Sequence, residues 1–141
     1  MSIIELNSMD EKELNEFILS IGEKKYRSKQ LFEQLHKHKI FDLNDITVFS
    51  KDLRSKLCDI SYINNLAVAD IFKSKLDNTH KFLFRLEDGQ IIESVFMQYD
   101  DRNTICISCQ VGCKMGCSFC ASTKAGFIRN LTTAEIISQV Y

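Results

Sequence analysis

Residues 106–120 read CISCQVGCKMGCSFC and contain five of the six cysteines of the chain. Cys113, Cys117 and Cys120 follow the spacing C-x3-C-x2-C, and Cys106 and Cys109 precede them. Gly112 and Gly116 lie beside these cysteines, and glycine lets a loop turn tightly. Thiolates bind soft metal ions and iron–sulfur clusters. The stretch therefore predicts metal or redox chemistry.

Four kinds of site are compatible with this sulfur content. Three thiolates could bind an iron–sulfur cluster and leave one iron open to a substrate. A zinc site could use the two C-x2-C pairs, although only seven residues separate them, whereas zinc ribbons leave about 15–20. Disulfides and buried small hydrophobic side chains are the remaining two. Cys58 lies apart from the cluster on a predicted helix, and we expect it in the core.

The composition predicts a folded, cytoplasmic protein. The chain has 141 residues, 45% of them hydrophobic and 26% charged, which allows a packed core and disfavours disorder. It shows no membrane-spanning run and no secretory signal, so we expect a reducing compartment in which disulfide frameworks are rare. The net charge of −1 neither favours nor excludes nucleic acid.

One short region is nevertheless basic. Residues 22–39 contain six Lys or Arg against two Glu. Charge alone favours an ordinary solvated helix face for this region. The sharper alternative is a patch that contacts RNA phosphates through Lys24, Lys25 and Arg27.

Apolar spacing and cap residues predict helices first and strands afterwards, an α+β order. Ser28 and Ser50 are predicted N-caps of the second and third helices, Asp88-Gly89 a hairpin turn, and Thr132 with Glu135 a capping box. The last helix should bury Ile136, Ile137 and Val140, and the pattern stops at Tyr141 as if within a longer protein. The predicted helices cover 9–21, 28–38, 50–58 and 132–141. The predicted strands cover 66–75, 80–86, 91–98 and 103–109.

C-x3-C-x2-C with an aromatic residue, Phe119, before the last cysteine is the signature of the radical S-adenosylmethionine (SAM) superfamily. Two longer stretches carry a closer resemblance: ESVFMQYDDRNTICISCQVGCKMGCSFCASTKAGFIRNLTTAEIISQV (93–140) and GEKKYRSKQLFEQLHKHKIFDLNDITVFSKDLRSKL (22–57). Both resemble the RlmN family, whose members methylate adenine C2 in 23S ribosomal RNA and transfer RNA by a radical-SAM mechanism.

The resemblance implies an organisation that can be tested. It implies a helical accessory, RNA-binding domain over 1–62, a short antiparallel β linker over 63–98, and over 99–141 the truncated start of a partial (β/α) radical-SAM barrel. The 141 residues alone would then be inactive. The implied partners are 23S rRNA, tRNA and an electron donor such as flavodoxin, with no membrane and a monomeric state.

The resemblance also implies roles for individual residues. Cys113, Cys117 and Cys120 would ligate a [4Fe-4S] cluster that binds and cleaves SAM, and Phe119 would pack beside it, although a core position would explain Phe119 equally well. Glu93 matches the family's catalytic proton acceptor, and Cys106 the cysteine that resolves a protein–RNA crosslink through a transient disulfide. The methyl-accepting cysteine of the family would lie outside this chain.

One position departs from the family pattern. Where the family has SSQVGC, this chain has SCQVGC, with Cys109 in place of serine. Cys109 could be a neutral replacement, a competitor of Cys106 for the disulfide, or a stray cluster ligand. Two other functions remain open, namely a Cfr-type adenine-C8 methyltransferase and a zinc-binding RNA module without catalytic activity.

Overall fold

The structure, a computed structural model, describes residues 3–124 and 126–141, apart from the side chain of Ser122. The chain divides into two compact units, the first ending at Asn65 and the second beginning at Leu66. Within the described residues no helix is both long and apolar enough to cross a lipid bilayer.

The first helix of unit 1, α1 (Glu11–Ser20), begins two residues after the predicted start. Asp10 is the N-cap: its side chain accepts from the Glu13 backbone N–H at 2.8 Å, and the Glu13 carboxylate accepts from the Asp10 N–H at 2.9 Å. This reciprocal capping box satisfies two backbone donors that a helix start leaves unpaired. The predicted helix over 9–21 is therefore confirmed, with slightly shorter bounds.

The next helix differs from its prediction. Helix α2 (Tyr26–Phe32) begins before Ser28 and continues as a π-helical turn over Glu33–Lys37. Ser28 is buried inside the helix and donates its hydroxyl to the Lys25 carbonyl at 2.7 Å, so the predicted N-cap role is wrong. A serine hydroxyl can bond back to the preceding turn as well as cap the next one, and the sequence does not distinguish the two.

Helix α3 (Lys51–Ile60) has the predicted cap, since the Leu53 N–H donates to the Ser50 hydroxyl at 3.3 Å. Leu53 and Leu57 occupy its buried face. Cys58, expected in the core, is exposed instead. Successive helical residues point about 100° apart, so the residue after buried Leu57 turns away from the core.

The two ends of unit 1 meet. Strand β1 (Ile4–Glu5) pairs in parallel with β2 (Ser61–Tyr62). The buried Asn7 amide donates to the Asn64 carbonyl, and its oxygen accepts from the Asn64 N–H, both at 2.9 Å. Short 3-10 turns cover Leu6–Ser8 and Leu43–Asp45. The core between these elements consists of Leu6, Leu14, Phe17, Ile18, Leu31, Leu35, Leu43, Ile46, Phe49, Leu53 and Leu57.

Unit 2 begins with a four-stranded antiparallel sheet in the order β3-β4-β5-β6. Its strands are β3 (Ala67–Lys73), β4 (Thr79–Arg85), β5 (Ile91–Gln98) and β6 (Asn103–Cys106). The turn at Asp88-Gly89 is confirmed, with Gly89 at φ +83°, a conformation that favours glycine. The strand predicted to run to Cys109 ends at Cys106, where its pairing with β5 stops.

The rest of unit 2 packs around a second small core. Strand β7 (Gln110–Gly112) pairs antiparallel with β8 (Phe127–Asn130), and helix α4 (Ala121–Lys124) lies between them in sequence. Helix α5 (Thr133–Ser138) has the predicted capping box of Thr132 and Glu135. The core consists of Leu66, Phe84, Leu86, Ile92, Val111 and Leu131.

The buried face of α5 is more polar than predicted. Ile136 and Ile137 are only half-buried and Val140 is 51% exposed. The residues with 8% exposure or less in and just after this helix are Ala134, Glu135, Ser138 and Gln139. Hydrogen bonds described below explain why polar groups are buried here. The mixed helix-and-sheet class is confirmed, whereas the start of a barrel stays a prediction.

Candidate functional site

The three motif cysteines lie in a loop that a hairpin closes at its base. Strands β7 and β8 pair directly before and after the loop, and the Cys113 N–H donates to the Gly126 carbonyl at 3.1 Å. Cys113, Cys117 and Cys120 are half-buried. A hydrogen bond of 3.2 Å from the Cys120 N–H to the Cys117 carbonyl forms a turn between the last two motif cysteines. The hairpin thus holds both ends of the cysteine-bearing segment.

Gly112 allows the hairpin to close this tightly. It has φ +72°, and a Cβ at this position would overlap the backbone oxygen of Gly126. Gly116 has nearly the same backbone angle, φ +71°, but a Cβ there would meet nothing within 4 Å. An alanine at Gly116 would therefore add backbone strain alone, whereas an alanine at Gly112 would add both strain and steric overlap.

We expect Gly112→Ala to disrupt the β7–β8 pairing, because the methyl group would have to displace backbone atoms. Gly116→Ala should cost only the strain of a left-handed residue, about 1–2 kcal/mol. Urea unfolding together with hydrogen exchange of the β7 and β8 amides would measure both. Equal loss of stability in the two variants would contradict the role of the close approach to Gly126.

The chemistry of the loop fits an iron–sulfur cluster. It presents three thiols, and the Met115 N–H donates to the Cys113 sulfur at 3.5 Å. Hydrogen bonds to the sulfurs are among the features that set the reduction potential of such clusters. Among the described residues no three His, Cys, Asp or Glu side chains gather tightly enough to hold one metal ion. That finding concerns a site for a single ion such as zinc, whereas the three thiols together would hold a cluster of several irons.

Glu93, the predicted proton acceptor, borders a small cavity next to the loop. The cavity has a volume of about 300 Å³. Its walls include Gly112 and Ala121, the immediate neighbours of Cys113 and Cys120 in sequence. The full lining is Ile91, Ile92, Glu93, Ser108, Gln110, Gly112 and Ala121. The structure thus brings Glu93 and the two residues that flank the cysteine motif to one cavity, which the sequence did not predict.

The Glu93 side chain is accessible. Its carboxylate lies 3.5 Å from the Lys81 ammonium on the neighbouring strand, with side-chain exposures of 59% and 42% respectively. A solvent-exposed ion pair of this kind contributes little to stability. The Glu93 carboxylate is therefore open to solvent, and the positive charge of Lys81 lies beside it.

Three other predicted residues are exposed. Cys106 ends β6 opposite Val95, and Cys106 and Cys109 both present accessible side chains. Phe119 is 91% exposed, so its alternative interpretation as a core residue is wrong. No disulfide is present among the cysteines of the described chain. The roles of Cys106 and Phe119 stay predictions.

Arg129 anchors the hairpin and was not predicted from the sequence. Its guanidinium binds the Glu135 carboxylate through two hydrogen bonds of 2.7 and 2.8 Å, and that of Asp88 at 2.8 Å. The hydrogen bond from Arg129 lowers the pKa of Asp88. Burial would raise the pKa of Glu135, but bonds from Arg129 and the Thr132 N–H outweigh it and lower that pKa. Both acids raise the pKa of Arg129 further, so all three groups stay charged.

The predicted basic patch lies in unit 1, and its members differ. Lys24 and Lys25 are exposed. Arg27 donates to Gln30 at 3.0 Å and to the Val48 carbonyl at 3.1 Å. Its guanidinium also lies 5.4 Å from the centroid of the Phe49 ring. The internal contacts of Arg27 support the fold, whereas the two lysines remain available to a ligand.

A larger, open cavity adjoins the patch. It measures about 740 Å³ and includes further lysines and an exposed aromatic ring. Its lining is Glu11, Lys12, Asn15, Lys25, Tyr26, Ser28 and Lys29. Ammonium groups beside an exposed ring suit a phosphate-bearing, base-stacking ligand such as single-stranded RNA.

Comparisons with known proteins match this architecture. Residues 4–63 match the family described as ribosomal RNA large subunit methyltransferase N-terminal domain. A Finegoldia magna protein named "Probable dual-specificity RNA methyltransferase RlmN" is 48% identical over 136 residues, covering 96% of this chain and 39% of that protein. A Clostridioides difficile protein of the same name is 49% identical, over 97% of this chain and 40% of its own length.

A solved structure agrees with the fold. The radical SAM methyltransferase from Sphaerobacter thermophilus superimposes with a TM-score of 0.87 at 39% sequence identity, over 97% of this chain and 40% of that protein. The chain therefore spans about two-fifths of the length of the relatives it matches.

Proposed function

The chain belongs to the RlmN family, and from this premise we propose that it forms the N-terminal part of a radical-SAM methyltransferase that modifies adenine C2 of 23S rRNA and tRNA. The observation that carries the proposal is the shared cavity, which is lined by Glu93 and by Gly112 and Ala121, the residues that flank the cysteine motif. In this arrangement a proton acceptor borders the segment that would hold the reactive cofactor.

Cys113, Cys117 and Cys120 would hold a [4Fe-4S] cluster, and SAM would bind where the cluster leaves one iron without a thiolate. When bound, the cluster supplies the electron that cleaves SAM, taken from a donor such as flavodoxin. Three half-buried thiols on a loop closed at its base support this assignment. Phe119 is exposed at the same loop and would pack beside the cluster and the SAM adenine.

Glu93 would accept a proton from the modified adenine, and Cys106 would resolve the crosslink between protein and RNA. The exposure of both side chains supports these roles, because Glu93 must reach the RNA and Cys106 must reach the sulfur of the crosslinked cysteine. A thiol that forms a disulfide during turnover must be accessible.

We propose that residues 1–62 form the RNA-binding accessory domain, followed by the β linker over 63–98 and the start of the catalytic core over 99–141. The family match over 4–63 supports the first of these bounds. The exposed lysines and the open cavity beside them support RNA binding by this part.

We expect Lys24→Glu with Lys25→Glu to weaken RNA binding about tenfold or more at moderate salt. The slope of log affinity against log salt concentration should fall by about two, one for each lost phosphate contact. Arg27 is left unchanged because its internal contacts support the fold. The matched control is Lys51→Glu with Lys75→Glu, which changes the charge equally at two other exposed lysines.

The measurement is fluorescence anisotropy with a tRNA transcript across a salt series. Equal weakening in both double variants would show a general charge effect. Unchanged affinity in the Lys24/Lys25 variant would exclude the patch as an RNA contact.

Methyl transfer tests the proposed reaction directly. The chain would be joined to the part of the Finegoldia magna relative that it does not cover, reconstituted with iron and sulfide without oxygen, and given labelled SAM, a reductant and RNA. Mass spectrometry of the RNA nucleosides should show 2-methyladenosine. Only 8-methyladenosine would favour the Cfr-type reaction. A colourless chain carrying stoichiometric zinc would instead favour an RNA-binding module without catalysis.

A further inference from the structure

Gln139 directly follows α5, and only 5% of its surface is exposed. Its side-chain oxygen accepts from the Ser94 hydroxyl at 2.7 Å and from the Ser108 N–H at 2.8 Å. Its side-chain nitrogen donates to the Ser108 carbonyl at 2.8 Å and to the Glu135 carbonyl at 3.0 Å. A glutamine amide has two N–H donors and two oxygen lone pairs, so every one of them is used.

These partners fix the orientation of the amide. A half-turn of the Gln139 amide would place its nitrogen against the Ser94 hydroxyl and the Ser108 N–H, and its oxygen against two carbonyls. The Ser94 hydroxyl could turn to accept instead, but the Ser108 N–H and both carbonyls would lose their hydrogen bonds, which is costly away from water. Gln139 is therefore held in a single arrangement.

The Gln139 side chain takes the place of a neighbouring strand in pairing with the backbone of Ser108. Ser108 lies between the end of β6 and the start of β7, where no strand pairs with it. The Gln139 side chain binds both the N–H and the C=O of Ser108, as a neighbouring strand would do. The Ser108 hydroxyl in turn donates to the Glu93 carbonyl at 2.7 Å. Hydrogen bonds thus run from Gln139 through Ser108 to the backbone of Glu93.

We propose that Gln139 is a positioning residue, which holds the Cys106–Gly112 segment in place against the strand that carries Glu93. The inference rests on the proposed function, since the position of this segment matters for catalysis only if Cys106, Glu93 and the cysteine loop act together. Gln139 itself touches none of the proposed reacting groups. Its effect passes through the backbone of Ser108.

The first test is hydrogen exchange of the 141-residue chain, followed by mass spectrometry. Gln139→Met keeps a long, unbranched side chain but removes all four hydrogen bonds. We expect amides of the Cys106–Gly112 segment to exchange at least about tenfold faster, while β3 and β4 keep their protection. The control is Gln98→Met, at an exposed position in β5, which should leave exchange unchanged.

A rescue experiment separates hydrogen bonding from packing. In the unmodified chain Ser94→Ala removes a donor to Gln139 and should lower the urea midpoint. In the Gln139→Met background the buried Ser94 hydroxyl has lost its acceptor, so Ser94→Ala should restore part of the stability. A residue that only fills space would give additive losses, and that result would overturn the proposal.

The second readout concerns the cluster. Loosening the Cys106–Gly112 segment should speed iron loss to a chelator about tenfold in Gln139→Met, matching the change in exchange. Unchanged exchange and unchanged iron loss, or an equal loss of protection throughout β3 to β6, would overturn the positioning role. An unmodified chain that takes up no iron would instead overturn the proposed function, and the positioning role with it.

Discussion

Replacing Cys113, Cys117 and Cys120 together with alanine is expected to abolish iron binding by this chain. The unmodified chain, reconstituted with iron and sulfide without oxygen, should become brown and hold about four iron atoms. The triple variant should stay colourless, because the loop then offers no thiolate. Iron analysis and the visible absorption spectrum measure the difference.

Two other cysteines supply the controls. Cys58 is exposed in unit 1, and Cys109 lies just before β7, outside the motif. Alanine at either position should leave the iron content unchanged. Loss of iron with Cys109→Ala alone would make Cys109 a ligand, whereas full iron binding in the triple variant would exclude the motif as the cluster site.

Replacing Glu93 with glutamine is expected to slow methyl transfer by about 10²–10⁴-fold, the usual contribution of a positioned acid or base. The assay would use the chain completed with the remainder of the Finegoldia magna relative. Glutamine keeps the size of the side chain but cannot accept the proton. Losing the exposed ion pair with Lys81 should change stability by less than about 1 kcal/mol. Iron content should not change.

Glu87→Gln is the matched control, because Glu87 is an exposed acid in the turn before β5. It should transfer methyl groups at the normal rate. If release is the impaired step, Glu93→Gln should accumulate protein crosslinked to RNA, visible as a shifted band on a denaturing gel. Normal turnover in this variant would remove Glu93 from the mechanism.

The sequence predicted those parts of the fold that depend on neighbouring residues. The capping box of Thr132 with Glu135 uses contacts three residues apart, and it is present. The turn at Asp88-Gly89 is equally local. The prediction for Ser28 was wrong because a serine can either cap a helix or bond back to the preceding turn. The prediction for Cys58 was wrong because a shift of one residue along a helix changes a buried position into an exposed one.

The cysteines of the candidate site could be predicted from the sequence, but the side chains that hold the surrounding backbone in place could not. The spacing of the cysteines lies in one short stretch and is visible in the sequence. Gln139 and Ser108 are 31 residues apart, and the bond between Arg129 and Asp88 spans 41. The spacing of apolar residues along the sequence does not predict hydrogen bonds between residues so far apart. The one available signal was the polar character of the buried face of α5, where Glu135 and Gln139 lie one helical turn apart.

The meeting of the two ends of unit 1 has a topological consequence. Because β1 lies beside β2 and Asn7 binds Asn64, a short linker could join these ends without moving the core. Proteins whose ends lie close together tolerate circular permutation. New termini could then open in the exposed stretch after the π-helical turn, near Lys39. We therefore expect the order of the elements in unit 1 to tolerate such a rotation with its core packing kept.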